Sequence, residues 1–201
     1  DVRYQAAPPY THLRLRSLDA NLLHKTVEQL AVPLREHLIR YTDEALMEAL
    51  KTQLNHHDMS IGTAESCTAG MIASQLGHLP GSSSFLLGGI VSYSNDVKTN
   101  TLGVQEKTLI QFGAVSEQCA REMAEGVCRV LGSDIGLSVT GVAGPGGGSA
   151  EKPVGTVCFA WSVQGKTISE TVHFRGKRTS IRQASTVWSL NRCMELLSAR
   201  F

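Results

Sequence analysis

The chain has 201 residues, 42% of them hydrophobic, with 19 basic residues against 18 acidic ones and a formal charge of +1. That length holds one substantial domain, or one domain with a smaller appendage, and the apolar share excludes global disorder. The near-zero charge argues against a protein that coats nucleic acid or a membrane with a positive field.

No apolar run approaches the ~20 residues of a spanning helix, and no signal peptide is read at the N-terminus. Cys67, Cys119, Cys128, Cys158 and Cys193 are odd in number and lack a C-x-x-C pair, which reads as reduced thiols in a cytoplasmic protein. Because the chain begins at Asp1 rather than Met, the expectation is that something preceded it.

In chain order, His12 to Arg16 alternates apolar and basic residues and predicts a half-exposed strand. Leu22, Leu23, Val27 and Leu30 then recur at helical spacing as far as Pro33. Thr42 is a suitable N-cap for a second helix, with Asp43 and Glu44 in its first turn and Leu46, Leu50 and Leu54 facing inward. His56-His57-Asp58 ends it. From Met59 onward short apolar strands alternate with helices, the pattern of an α/β layered sheet. Strands are predicted over 61–65, 85–93 and 134–140, and helices over 69–79 and 116–131. Ala120, Met123, Ala124, Val127 and Leu131 form the stripe of the second helix, and Gly132 is its stop. A hairpin is predicted over 154–163 and 167–174, and a last helix from about Thr179 that buries Val187, Leu190, Met194 and Leu197. Trp161 and Trp188 sit in apolar segments and read as core.

Three strand-end segments are dense in small and polar residues: 63–70, 93–98 and 140–149. Ligands of open α/β sheets gather at the carboxyl ends of strands, so three such segments predict one shared site. The glycine-rich run from Gly141 to Gly148 is neither a Walker A nor a complete G-x-G-x-x-G, and Ser66 has no G-x-S-x-G elbow. The seven histidines show no metal-ligand spacing, so no metal is expected. Read singly, Ser66 is an N-cap or a nucleophile, and Glu65 is an acid satisfied by nearby amides or part of a site. Lys98 is a solvated helix lysine or a base. The glycine loop is a turn or an anion cradle. Arg175, Lys177, Arg178 and Arg182 are a charged face or a phosphate clamp.

In order along the chain come Ala64-Glu65-Ser66-Cys67-Thr68, Tyr93-Ser94-Asn95 with Lys98, Gly113-Ala114-Val115-Ser116-Glu117, Thr140-Gly141-Val142-Ala143-Gly144-Pro145-Gly146-Gly147 and Glu151-Lys152-Pro153-Val154-Gly155-Thr156-Val157. This set closely resembles the C-terminal domain of the CinA family, the nicotinamide mononucleotide amidohydrolases. One departure is Ala69, where the family usually has a second glycine. The resemblance implies a deamidase domain over 42–201. It also makes 1–41 a remnant of the linking region that joins a molybdopterin-binding-like domain in longer members. With the strand–helix alternation, it sets the expected fold: a three-layer α/β/α sandwich with a mixed, mostly parallel, Rossmann-like sheet.

The implied reaction hydrolyses the carboxamide of nicotinamide mononucleotide to the carboxylate and ammonia, in pyridine nucleotide salvage. Ser66 is the expected nucleophile and Lys98 its base, made partly neutral by desolvation and neighbouring cations. Tyr93 is expected to orient Lys98 or relay its proton, and Thr140 to hydrogen-bond in the pocket. Amides at the start of the helix after Ser66 are expected to hold the oxyanion. Substrate contacts are expected from Glu65, Cys67, Thr68, Asn95, Gly141, Gly144, Gly146 and Gly147, with Arg178 and Arg182 on the phosphate. Cys67 is a rival nucleophile, set aside because adjacent side chains on a strand-to-helix turn point apart. No organic cofactor is implied, and a homodimer or higher homo-oligomer is expected. The alternative from another class is a non-catalytic nucleotide-binding or regulatory module of the competence-damage-inducible type.

Overall fold

The computed structural model describes residues 2–7, 10–34 and 46–198, and the chain divides into two compact units, 1–45 and 46–201. In the first unit β1 (Val2–Ala7) and β2 (Tyr10–Leu15) form an antiparallel hairpin, and α1 spans Ala20–Leu34. Sequence reading found the second strand but not the first. Asp19 caps α1, its Oδ1 accepting from the amides of Asn21 (2.9 Å) and Leu22 (3.1 Å). The helix runs one residue past Pro33, where its stop was predicted. The expected boundary at 41/42 and the cap Thr42 with Asp43 and Glu44 lie outside the described residues.

The second unit opens with α2 (Leu46–His56), which buries Leu50 and Leu54, followed by β3 (Ile61–Glu65) and α3 (Met71–Gly77). One 3-10 turn (Ser82–Ser84) leads to β4 (Leu86–Val91). Two short helices not predicted from sequence follow, α4 (Asn95–Asn100) and α5 (Glu106–Phe112), then α6 (Glu117–Leu131) and β5 (Ile135–Gly141). The hairpin β6 (Thr156–Val163) and β7 (Lys166–His173) and the long α7 (Arg178–Ser198) complete it. Among the described residues no helix is long and apolar enough to cross a membrane.

The sheet order is β4-β3-β5-β6-β7, with β3 parallel to β4 and β5, and β6 antiparallel to both its neighbours. Four strands therefore run one way and β6 alone opposes them, the mixed, mostly parallel α/β sheet expected. Period-2 alternation divides its two faces. Ile135, Leu137 and Val139 of β5 join Val157, Phe159, Trp161 and Val163 of β6 in one core with Leu50, Leu54, Ile72, Leu76, Ile181, Leu190 and Leu197. Trp161 stacks on Phe159 and donates its Nε1–H to Ser189 O (3.1 Å). Its full burial is worth about 1.5–3 kcal/mol. Trp188 is only partly buried and donates to Glu170 (2.7 Å). Of the four residues predicted to face inward from α7, Leu190 and Leu197 are buried while Val187 and Met194 are half-buried.

The opposite face carries small residues, and α6 lies close on it. A Cβ at Gly136 would collide with the Ala124 carbonyl, and Ser138 Oγ donates to Ala120 O (2.6 Å). Ser116 caps α6 through Cys119 N (3.2 Å), and Gly132 ends it at φ 69°, the stop that the sequence predicts. With α2, α3 and α7 on one face and α6 on the other, the layers are helix, sheet, helix. The parallel strands β4, β3 and β5 are adjacent, so their carboxyl ends share one edge.

Candidate active site

That shared edge is fastened by backbone bonds. Ser66 N donates to Val139 O (2.9 Å) and Ser92 N to Glu65 O (2.8 Å), which ties the turns after β3, β4 and β5 together. Ser66 is half-buried in the turn after β3. Lys98 comes from α4, whose N-cap Ser94 accepts from Val97 N (3.3 Å). Its Nζ lies 3.1 Å from Ser66 Oγ, 2.6 Å from Ser92 O and 3.5 Å from Tyr93 O. Lys98 is 1% exposed, not the solvated helix lysine that a six-residue polar stretch suggests.

This coordination has a chemical direction. Carbonyl oxygens only accept hydrogen bonds, so a neutral amine keeps its two N–H groups on Ser92 O and Tyr93 O. Its lone pair is then left for the Ser66 hydroxyl. Burial lowers the Lys98 pKa from its ordinary 10.5 by disfavouring the charged form, while nearby Cys119 and Cys67 oppose the shift. The expected help from neighbouring cations is not among the causes; desolvation does the work.

Cys67 points the other way. It is 5% exposed within the apolar core, and burial pushes its thiol up to about 12. Neither a nucleophile's thiolate nor a substrate contact fits that position. Glu65, 1% exposed, is equally remote from a ligand. Its carboxylate accepts from the amides of Gly70 (2.9 Å), Ile72 (3.1 Å) and Ala73 (2.8 Å). Those amides open α3, so the helix start expected to hold an oxyanion is already occupied by a carboxylate. In the turn itself Ala69 N donates to Ser66 O (3.1 Å). Among the described residues the amide of Thr68 has no protein acceptor. The Thr68 side chain is buried, and its Oγ1 has no partner.

The remaining expected residues divide between the rim and the scaffold. Tyr93 is 56% exposed, and its hydroxyl accepts from Arg178 Nη2 (2.9 Å), so its backbone carbonyl rather than its phenol reaches Lys98. Arg178 Nη1 donates to Gly144 O (2.8 Å), which holds the glycine loop toward Tyr93. Arg182 donates from Nε to Cys67 O (2.9 Å) and from Nη2 to Thr68 O (2.8 Å). Both arginines thus spend guanidinium donors on loop oxygens instead of standing open as a phosphate clamp. Thr140 Oγ1 donates to Ala114 O (2.8 Å), which fixes the 113–116 segment against the end of β5. Gly141 abuts Thr156 O and Val157, and Gly144 adopts φ 79° against Val154. Gly146, Gly147 and Asn95 are exposed. Sequence reading missed the Ser92 carbonyl, since a backbone oxygen carries no side-chain signal. A separate cavity of about 410 Å³ is lined by Ser116, Glu117, Lys152, Cys158, Thr171 and His173, and none of the expected site residues borders it. Among the described residues no group of three potential metal ligands occurs.

The family profile described as the CinA C-terminal domain matches residues 43–197. The chain belongs to the CinA family. A CinA-like protein of Kosmotoga olearia is 40% identical over 88% of this chain and 43% of its own length. A putative competence-damage inducible protein of Clostridioides difficile is 51% identical over 74% of this chain and 36% of its own. The chain therefore spans less than half the length of these curated CinA relatives. The crystal structure of competence damage-inducible protein A from Klebsiella pneumoniae superposes with a TM-score of 0.75 at 34% identity, covering 78% of this chain and 97% of that one.

Ala69, the departure from the CinA pattern, has φ +51°, beside Gly70 at φ +90°. A left-handed alanine costs about 1–2 kcal/mol, part of which a glycine would return as unfolded-chain entropy. Ala69→Gly is therefore expected to stabilise the protein by about 0.5–1 kcal/mol. A melting curve checks this, and a lower Tm for the variant would refute it.

Proposed function

We propose that the chain is a nicotinamide-nucleotide amidohydrolase that converts nicotinamide mononucleotide and water to nicotinate mononucleotide and ammonia. The observation that carries this reading is the buried Lys98 amine, 3.1 Å from Ser66 Oγ and otherwise surrounded by carbonyl oxygens. A carboxamide is a poor electrophile, and its hydrolysis requires both an activated nucleophile and a place for the oxyanion. Neutral Lys98 takes the Ser66 proton as Oγ bonds to the carboxamide carbon. The carbonyl oxygen becomes an oxyanion facing the amide of Thr68. Lys98 then protonates the nitrogen, the C–N bond breaks, and ammonia leaves an ester on Ser66. Water, deprotonated by the same lysine, attacks the ester; Ser66 recovers its proton and the carboxylate departs.

With Arg178 and Arg182 committed to loop oxygens, the phosphate falls to Arg175 and Lys177. Both are exposed between β7 and α7, and among the described residues neither side chain makes a hydrogen bond or ion pair. The family resemblance supplies the nucleotide, and the dyad supports the reaction class. A purely nucleotide-binding module has no use for a lysine desolvated against a serine. The test is ammonia release from nicotinamide mononucleotide, with nicotinamide and nicotinamide riboside as controls. Ammonia and carboxylate in equal amounts from the mononucleotide are expected, and no release from any of the three would leave the binding module standing.

A further inference from the structure

We propose that Arg182 is a positioning residue that aims the oxyanion-binding amide of the Ser66 turn and does not read the substrate's phosphate. The inference rests on Ser66 as the nucleophile. Arg182 lies one helical turn beyond Arg178 in α7, and its Nε and Nη2 hold the consecutive carbonyls of Cys67 and Thr68 at 2.9 and 2.8 Å. A planar guanidinium presents these donors in a fixed fork, so the two oxygens are held together. In a trans peptide the N–H points opposite to the C=O. Holding the Cys67 carbonyl toward α7 therefore turns the Thr68 N–H away from α7. That N–H meets no protein acceptor among the described residues. The next peptide does a different job: with the Thr68 carbonyl on Arg182, the Ala69 N–H closes the turn onto Ser66 O.

The same turn is held from its other end by Glu65, which gathers the amides of Gly70, Ile72 and Ala73. A carboxylate collects donors and a guanidinium collects acceptors, and between them they hold a backbone whose Ala69 and Gly70 both have positive φ. Neither charge consumes the Thr68 amide. The two carbonyls take the Nε–Nη2 edge of the guanidinium, which leaves a phosphate only the Nη1–Nη2 end.

The experiment compares Arg182→Lys with wild type on nicotinamide mononucleotide and its riboside. Lysine keeps the charge but has no planar fork. The expected result is a fall in kcat of about 10- to 100-fold, below the loss of a whole oxyanion donor, with KM changed little and the preference for the mononucleotide unchanged. A tenfold rise in KM for the mononucleotide alone, with kcat intact, would overturn the proposal in favour of phosphate reading. Arg182→Ala with added guanidinium ion gives a second readout: recovery of kcat supports positioning, whereas recovery of KM alone opposes it. If wild type releases no ammonia, the functional reading fails separately. Labelling of Ser66 by a fluorophosphonate then decides: slower labelling of a folded Arg182→Lys supports the proposal, and equal rates overturn it.

Discussion

Replacing Ser66 with alanine is expected to lower turnover of nicotinamide mononucleotide by at least about 1,000-fold, whereas Cys67→Ala stays within about twofold of wild type. The two residues are neighbours in sequence, but the turn sends their side chains to opposite environments. Ser66 Oγ meets Lys98 at 3.1 Å, while Cys67 packs with the apolar core. With burial pushing the thiol up to about 12, it stays protonated at neutral pH. The cysteine variant pays in packing instead, on the order of 1 kcal/mol. Initial rates together with melting curves separate these effects. A fully active Ser66→Ala beside an inactive Cys67→Ala would reassign the nucleophile.

The second large effect concerns Lys98. Lys98→Met removes the base, and Lys98→Arg offers a guanidinium that stays protonated at ordinary pH; each is expected to cost about 1,000-fold or more in kcat. Because burial holds the amine below 10.5, kcat/KM rises with pH and levels off before the ordinary lysine value is reached. The stability consequence has a definite sign. Between the lowered native pKa and the unfolded value, the unfolded chain binds more protons, so stability rises with pH across that window. Below the native pKa the full penalty of a buried cation is present; above 10.5 it is gone. Denaturant titrations of wild type and Lys98→Met at several pH values check this. A stability difference that does not change with pH would contradict the assignment, as would a pH–rate profile that Lys98→Arg leaves unaltered.

The sequence made the strands and their shared edge legible because period-2 and 3.6-residue patterns are local. Ile61–Glu65 is found as predicted, and α6 fills its predicted span and ends at its predicted stop. The helices α4 and α5 were missed because six and seven residues are too few to show a periodicity. The burial of Lys98 was illegible for another reason: its surroundings come from the turns after β3 and β4 and from α6, assembled only by sheet order. The partners of the arginines were illegible in a related way. Cations near a glycine loop suggest an anion, but Arg178 and Arg182 find carbonyls and a tyrosine hydroxyl, and carbonyls are present at every position of a sequence. Tyr93 combines both cases, its backbone turned to the lysine and its phenol to Arg178.

The enclosure of Lys98 also determines how protons travel. Two of the three oxygens around its Nζ are carbonyls, which do not take up a proton at ordinary pH. A proton arriving on the amine therefore has one exit, through Ser66 Oγ or whatever group has taken its place there. In the proposed reaction the amine that takes the serine proton is the one that supplies a proton to the departing nitrogen. The lysine then works as a shuttle that hands protons only to the group standing at the Ser66 position, whether serine, departing nitrogen or attacking water.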